Sequence, residues 1–160
     1  MRRRRRLDDP PESLGVLVHG PVVIGRAPGI AVGLRCIFGY PSVLLFQLVL
    51  RARGVQAEAA ARRSDYGVGY HDSSAGGRRS RCLLSVEADG RPQPLQPMRE
   101  ETSSGEDAFD HEATYWLSPL PQDRELALTV GWPEAGLPEQ TCHVTLGELG
   151  DLSARILPLT

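Results

Sequence analysis

Apolar and polar residues alternate along the first half of the chain in a way that predicts β-strands. Every second residue from Ile30 to Phe38 is apolar, and a period of two places these side chains together on one face of a strand. Segment 43–53, VLLFQLVLRAR, is apolar on nearly both faces, which is typical of a central strand. The residues between them, GYPS at 39–42, have the composition of a turn. The two segments therefore predict a hairpin.

The aromatic segment 112–121, EATYWLSPLP, alternates in the same way from Ala113 to Leu117. The strand must end at Pro119, because proline has no N–H to donate to a sheet. Segment 124–132, RELALTVGW, then alternates again. We predict that these two strands belong to one antiparallel sheet and are joined by a proline-stiffened corner.

Three further segments have the pattern of strands, and one near the end has the pattern of a short helix. The pair Asp89-Gly90 follows one of these strands and is typical of a hairpin turn. Segment 149–157, LGDLSARIL, predicts a short terminal helix. The three strand segments are 21–26, 81–88 and 141–149.

Other parts of the chain lack a periodic apolar pattern. Residues 1–20 are charged and contain prolines, which predicts a disordered arm. Segment 54–80 contains VQAEAAARR at 55–63, which has helix propensity but almost no apolar stripe to bury, and continues with Gly, Ser and Asp. We predict a long mobile surface loop there. Segment 91–111 combines prolines with an acidic block and is also predicted to be a loop.

Several short strands, polar turns and the absence of strand–helix–strand units predict an all-β fold. The length of 160 residues is that of one domain. We therefore predict a single-domain antiparallel β-sandwich, immunoglobulin-like in architecture, over residues 21–160. A flexible arm at residues 1–20 precedes it.

Charge is distributed unevenly between the two halves of the chain. All the basic residues are arginine, and neither lysine nor asparagine occurs, which favours a GC-rich genome over selection for phosphate binding. The chain carries a charge of about +8 through Arg81 and about −10 from Cys82 onward, giving the net charge of −2. Because strands from the two halves interleave in a sheet, we predict complementary faces or cross-strand ion pairs.

The cysteines and the absence of membrane signals predict a compartment. Cys36, Cys82 and Cys142 are far apart, odd in number and form no CxxC pair, which favours free thiols in a reducing compartment. The five-arginine start is followed by Asp and Pro where a signal peptide would become apolar. The longest apolar run is too short to span a bilayer. We therefore expect a soluble, cytoplasmic protein.

Two carboxylates in segment 110–112 are the first candidates for chemistry. Asp110 and Glu112 would share one face of a strand, with His111 on the other. Such a pair could hold a hard cation or act in acid–base chemistry, but it also fits a solvated edge beside an acidic loop, which we favour. The chain has no GxSxG, P-loop or HExxH motif, so we predict no catalytic residue, no metal ligand and no cofactor.

The tryptophans are the second set of candidates. Trp116 and Trp132 each stand close to a proline that ends a strand, which favours core and corner packing over the lining of a groove. Together with Asp110 and Glu112, they form the candidate interaction surface of this sequence.

Four passages resemble an uncharacterised all-β protein family common in high-GC actinobacteria. They are 30–53, 86–91, 115–121 and 130–144, and the last, VGWPEAGLPEQTCHV, is the most specific. The resemblance implies a single all-β domain and implies no activity and no catalytic residues. The acidic stretch before Phe109 stands where members of that family often have glycine.

Three functions are open to such a chain. The first, which we favour, is a noncatalytic module that binds another protein or itself. The second is a small enzyme or ligand-binding protein that uses segments 54–80 and 91–111 as a lid. The third is a nucleic-acid binder that acts through the N-terminal arginines and a second set, and we consider nucleic acid the less favoured partner. This second set consists of Arg51, Arg53, Arg62 and Arg63.

Overall fold

The computed structural model describes residues 12–64 and 80–159 as an antiparallel all-β sandwich, the predicted fold class. It also has two short helices, α1 (Val55–Arg63) and α2 (Leu152–Arg155), and a 3-10 turn at Pro133–Ala135. The strands are β1 (Ser13–Leu14), β2 (Val16–His19), β3 (Val22–Ala27), β4 (Ile30–Gly39), β5 (Leu44–Arg53), β6 (Leu83–Ala88), β7 (Arg91–Pro94), β8 (Pro97–Gly105), β9 (Ala108–Leu117), β10 (Glu125–Trp132), β11 (Leu137–Thr145) and β12 (Leu157–Pro158).

The strands form a large sheet, a small sheet and a short ribbon. The large sheet has the order β2-β4-β5-β9-β8, and β3 also pairs with β4. The small sheet has the order β11-β10-β6-β7, and the ribbon pairs β1 with β12. This order differs from the ABED and CFG sheets of immunoglobulin constant domains.

The predicted hairpin of β4 and β5 lies in the large sheet, with β5 between β4 and β9. A bulge interrupts the pairing of β4 between Leu34 and Cys36. Beyond it, Ile37 is fully buried while Phe38 is only half-buried on the opposite face. The prediction that Phe38 shares a face with Ile30 and Leu34 is therefore wrong, because one extra residue inverts the alternation of a strand.

The small sheet follows the sequence pattern closely. Leu126, Leu128 and Val130 of β10 are buried, as their alternation predicts. The turn between β6 and β7 is made by Asp89 and Gly90, which have φ values of 53° and 74°. Such positive values are required at both positions of a tight type I′ hairpin turn.

The proline-containing corner connects two sheets and does not join neighbours in one sheet. β9 belongs to the large sheet and β10 to the small one, so the prediction that both strands lie in one sheet is wrong. The carboxylate of Asp89 accepts hydrogen bonds from the backbone N–H groups of Gln122, at 2.9 Å, and Asp123, at 2.8 Å. These two bonds lower the pKa of Asp89 and fix the corner against the β6–β7 turn.

Two segments predicted to be loops contain regular structure. Residues 55–63 form α1, which buries Ala57 and Ala60 against the ends of β5 and β9. Two alanines suffice because small side chains let a helix approach a sheet closely, and the sequence pattern does not register them as an apolar stripe. The end of the predicted loop, residues 65–79, lies outside the described residues.

Segment 91–111 likewise forms β7, β8 and the start of β9. β7 and β8 are edge strands, and such strands tolerate proline and exposed polar side chains because one side of each needs no partner. The prediction of a loop is therefore wrong here. It fails because neither strand has a strong apolar alternation that the sequence could reveal.

The ends of the chain also differ from the prediction. Residues 16–19, placed in the arm by the sequence, form β2, which pairs with β4 and buries Val18. Residues 1–11 lie outside the described part. The terminal helix predicted over 149–157 is shorter, Leu152–Arg155, and its Leu152 is buried close to Gly39.

The inner faces of both sheets share one apolar core, with Phe46 and Phe109 among its largest fully buried side chains. Its burial is the main favourable contribution to folding. No helix in residues 12–64 or 80–159 has the length and apolarity needed to cross a bilayer.

Candidate functional site

Three of the four candidate residues lie on the outer face of the large sheet, where they point away from the core. Asp110, Glu112 and Trp116 alternate along β9 with Phe109, Ala113 and Tyr115, which are buried. His111 points to the inner side, as its position in the strand predicts. The fourth candidate, Trp132, is 2% exposed in the small sheet and is therefore part of the interior.

The two carboxylates of this outer face are held by arginines from neighbouring strands. Glu112 Oε1 contacts Arg35 and lies 2.9 Å from Arg51 Nη2. Asp110 Oδ1 lies 2.9 Å from Arg53 Nη1 and 3.4 Å from Arg51 Nε. Hydrogen bonds from Arg35 and Arg51 lower the pKa of Glu112. The cross-strand ion pairs predicted from the charge distribution are confirmed.

These ion pairs determine what the carboxylates can do. A carboxylate already contacted by arginine is a poor ligand for a hard cation, which requires oxygen ligands free of competing positive charge. Within the described ranges, no three His, Cys, Asp or Glu side chains come together as a metal site. Because the pairs are partly exposed, each contributes no more than about 1 kcal/mol to stability.

A row of apolar side chains crosses the same outer face at its other end. Leu17 is paired with Phe38, Phe38 with Leu45, and Leu45 with Trp116, so the row runs over β2, β4, β5 and β9. Leu17 is 59% exposed, Phe38 and Trp116 are half-buried, and Leu45 is 8% exposed. Tyr40 lies beside the row, with its ring centroid 6.0 Å from that of Trp116. We call the four paired residues, Leu17, Phe38, Leu45 and Trp116, the outer apolar row.

An apolar groove of about 560 Å³ lies on the large sheet, further along β4 and β5. Val23 of β3 is 50% exposed in this groove, and it is paired with Gly33, whose lack of a side chain deepens the surface. A Cβ atom at Gly33 would stand 2.7 Å from the carbonyl oxygen of Val22, closer than real contacts allow. Val49 and Arg51 of β5 also line the groove.

The second cavity lies between the two sheets, beside the C-terminal end of α1, and measures about 480 Å³. Phe109 of the large sheet and Trp132 of the small sheet both line it, with ring centroids 5.7 Å apart and an interplanar angle of 63°. The indole Nε1–H of Trp132 donates a hydrogen bond of 2.9 Å to Ser80 Oγ. Ser64, at the end of α1, is a further lining residue. We call this space the inter-sheet cavity.

A chain of polar side chains lines the same cavity. Thr102 Oγ1 lies 2.7 Å from His111 Nδ1, and His111 Nε2 lies 3.8 Å from Glu100 Oε1. The same oxygen of Glu100 lies 3.4 Å from Arg81 Nη1. Burial is the main cause that lowers the pKa of His111; Glu100 acts against the shift and Arg81 adds to it. His111 is therefore neutral at pH 7, and the carboxylate beside Nε2 favours a proton on that nitrogen.

The three cysteines are free, as predicted. Cys82 also lines the inter-sheet cavity, and burial raises the pKa of its thiol to about 12. A thiol with that pKa is protonated at neutral pH and is a weak nucleophile. Cys82 therefore supplies no activated sulfur to this cavity.

Sequence reasoning missed both the outer apolar row and the inter-sheet cavity. The apolar run of Val16, Leu17 and Val18 could have indicated β2, but it is only three residues long. The period of two predicts Phe38 on the face of Ile30, because nothing in the sequence indicates the bulge between Leu34 and Cys36. Glu100 and Thr102 were placed in a loop, although their segment forms an edge strand against β9.

The chain was compared with protein-family models, with curated proteins and with solved structures, and none of the three comparisons found a match.

Proposed function

We propose that this protein is a noncatalytic β-sandwich module that associates with a second copy of itself through the outer face of the large sheet. The observation that carries this proposal is the outer apolar row. In a two-layer sandwich the outward faces normally meet water, and the residues that point outward along each strand are normally polar. Here the paired residues of four neighbouring strands are apolar on that face. Leu17, Phe38 and Trp116 are accessible around the buried Leu45, and aromatic residues such as Phe38 and Trp116 are enriched at interfaces.

The choice of a second copy as the partner rests on the groove that shares this face. A two-fold interface requires that one patch be complementary to another patch on the same surface, since residue i meets j and j meets i. The outer apolar row and the groove at Val23, Gly33 and Val49 lie at different positions along the two strands that they share, β4 and β5. Rotation by 180° can therefore place the row of each copy in the groove of the other.

Charge on the outer face supports the same partner. Arg35, Arg51 and Arg53 pair with Asp110 and Glu112 at the groove, and Arg35 and Arg51 are themselves among the residues that line it. A second copy presents both signs of charge and can extend these pairs across the interface, whereas a uniformly charged partner meets repulsion. Two of the arginines considered for nucleic-acid binding, Arg51 and Arg53, contact carboxylates of their own chain, which disfavours that alternative.

The test is the mass of the protein in solution, measured by size-exclusion chromatography with light scattering over a range of concentrations. We expect a dimer that dissociates on dilution, and we expect Leu17→Ser to raise the dissociation constant about tenfold or more. The matched control is Leu83→Ser in the small sheet, because Leu83 is 61% exposed and Leu17 is 59% exposed. A wild-type monomer at every concentration would overturn the proposal, as would equal effects of the two variants.

We also infer a cytoplasmic location and membership of the actinobacterial family described above. The location is supported by three free cysteines, two of them buried, since secreted proteins usually oxidise theirs. Fractionation of the source cell tests the location, and recovery mainly in the culture medium would contradict it. Family membership is supported by the four sequence passages, and an alignment of relatives that conserve the Trp132-Pro133 pair would test it.

A further inference from the structure

The inter-sheet cavity is separate from the outer face, because its polar and aromatic residues point to the inner side of the sandwich. Glu100, Thr102 and His111 come from β8 and β9 of the large sheet, and Trp132 comes from the small sheet. Its volume of about 480 Å³ lies in the usual range of small-molecule sites, roughly 300–1,000 Å³. Nothing in the proposed self-association uses this space.

The cavity is apolar on its inner side. Phe109 and Trp132 are almost fully buried in the core and form an edge-to-face pair, and the buried Cys82 lies with them. Burial keeps this thiol uncharged, so it acts as a small apolar group. Phe109 is 1% and Trp132 is 2% exposed, so only a small part of each ring borders the cavity. An aromatic or branched apolar group of a ligand is the natural complement of this border, because the indole N–H is already bonded to Ser80 and the rings offer no other strong donor.

The polar side of the cavity presents one positive and one negative side chain next to each other, those of Arg81 and Glu100. Glu101 also lines the cavity, but it is paired with Glu112, so its side chain points to the outer face. Arg81 is 47% and Glu100 37% exposed at the side chain. The contact between them uses one nitrogen of the guanidinium and one oxygen of the carboxylate. A guanidinium has five N–H donors and a carboxylate accepts on two oxygens, so each can bind a further group. His111 stands beside the same carboxylate and is itself held by Thr102, which fixes the geometry of this side.

We propose that the inter-sheet cavity binds a free amino acid with an aromatic or large apolar side chain. The carboxylate of the amino acid pairs with Arg81, its ammonium group pairs with Glu100, and its side chain lies against Phe109 and Trp132. The neutral state of His111 leaves the polar side with one charge of each sign, which is the pattern of a zwitterion. A ligand with one charge leaves either the arginine or the glutamate without its additional partner.

The probes are L-phenylalanine and two analogues that each keep one of its charges, phenethylamine and 3-phenylpropionate. The chain has two tryptophans, and their indole N–H signals in a ¹H–¹⁵N NMR spectrum report on two different places. Trp132 lines the cavity, whereas Trp116 lies on the outer face and is the internal control. We expect L-phenylalanine to shift the Trp132 signal saturably and at lower concentration than either analogue, while the Trp116 signal stays in place.

Two charge-removing variants assign the roles. We expect Arg81→Gln to weaken L-phenylalanine binding roughly tenfold, the effect of losing one charge-assisted hydrogen bond, and to leave phenethylamine binding unchanged. Glu100→Gln should weaken L-phenylalanine similarly and leave 3-phenylpropionate unchanged. Arg91→Gln in β7 and Glu87→Gln in β6 are matched controls outside the cavity, and we expect neither to change binding.

Several results would overturn the proposal. One is an unmoved Trp132 signal in the presence of L-phenylalanine, and another is an equal movement of both indole signals, which would indicate nonspecific contact. A third is an analogue with a single charge that binds as tightly as the amino acid. Because these readouts do not depend on dimer formation, a failure here is distinguishable from a failure of the proposed self-association.

Discussion

The same substitution at two adjacent residues of β6 tests which face of the small sheet is buried. Leu84 is 1% exposed and lies opposite Val130 in the core, whereas Leu83 is 61% exposed and lies opposite Gly131. Replacing each leucine by alanine removes identical atoms from neighbouring positions of one strand. Differences in intrinsic strand propensity therefore nearly cancel, and burial decides the result.

The expected magnitudes follow from these exposures. Full burial of a leucine side chain is worth about 1.5–3 kcal/mol, and the cavity left behind adds to the loss, so Leu84→Ala should cost about 2–5 kcal/mol. Leu83→Ala leaves a side chain that already meets water, and its free energy of unfolding should change by no more than about 0.5 kcal/mol. In a chain of this size each kcal/mol lowers the melting temperature by about 2–4 °C.

Urea denaturation followed by circular dichroism measures both variants, with the slope of the free energy against urea as a check that the unfolding transition is unchanged. Comparable losses at the two positions would refute the assignment of faces. A larger loss at Leu83 would show that β6 is displaced by one residue, since such a slip moves every side chain to the other face. The measurement is made at a concentration at which dimer content is equal for both variants.

Two further predictions concern single residues. Burial lowers the pKa of His111 in the folded protein, so the unfolded chain protonates His111 at a higher pH than the folded chain does. The contribution of the neutral His111 to stability is therefore complete above about pH 6.5, and it is lost as the pH falls through the lower pKa of the folded state. His111→Gln should reduce this loss in denaturation curves from pH 7 to pH 5, and an identical pH dependence in both proteins would contradict the assignment. Gly29→Ala should cost at least about 1–2 kcal/mol, because φ is +79° and a Cβ atom would stand 2.3 Å from Gln56 Oε1. Gly105→Ala, where no atom lies within 4 Å of the added carbon, is the control, and equal costs would show that the turn at Gly29 is not strained.

The candidate residues show which features of a surface a sequence pattern can predict and which it cannot. Asp110, Glu112 and Trp116 could be placed on one face of a strand, because side chains alternate along any extended chain. Their partners could not be identified, since Arg35 and Arg51 are brought beside Glu112 by pairing between strands far apart in sequence. Trp132 shares the alternation of β10 and is buried, so its proximity to a proline correctly indicated packing. The same cue at Trp116 did not, since Trp116 is half-buried on the outer face.

Local pattern determined the all-β class, the β4–β5 hairpin, the Asp89-Gly90 turn and the buried faces of β9 and β10, because each depends on residues close together in the chain. Tertiary structure alone decided the sheet to which each strand belongs, the strand character of the polar segment at β8, and the meeting of Arg81, Glu100 and His111 at one cavity. A bulge at one residue also reversed the face of Phe38. These features depend on pairing and packing between distant segments, whose free energies are shared among many contacts and leave no periodic trace in the sequence.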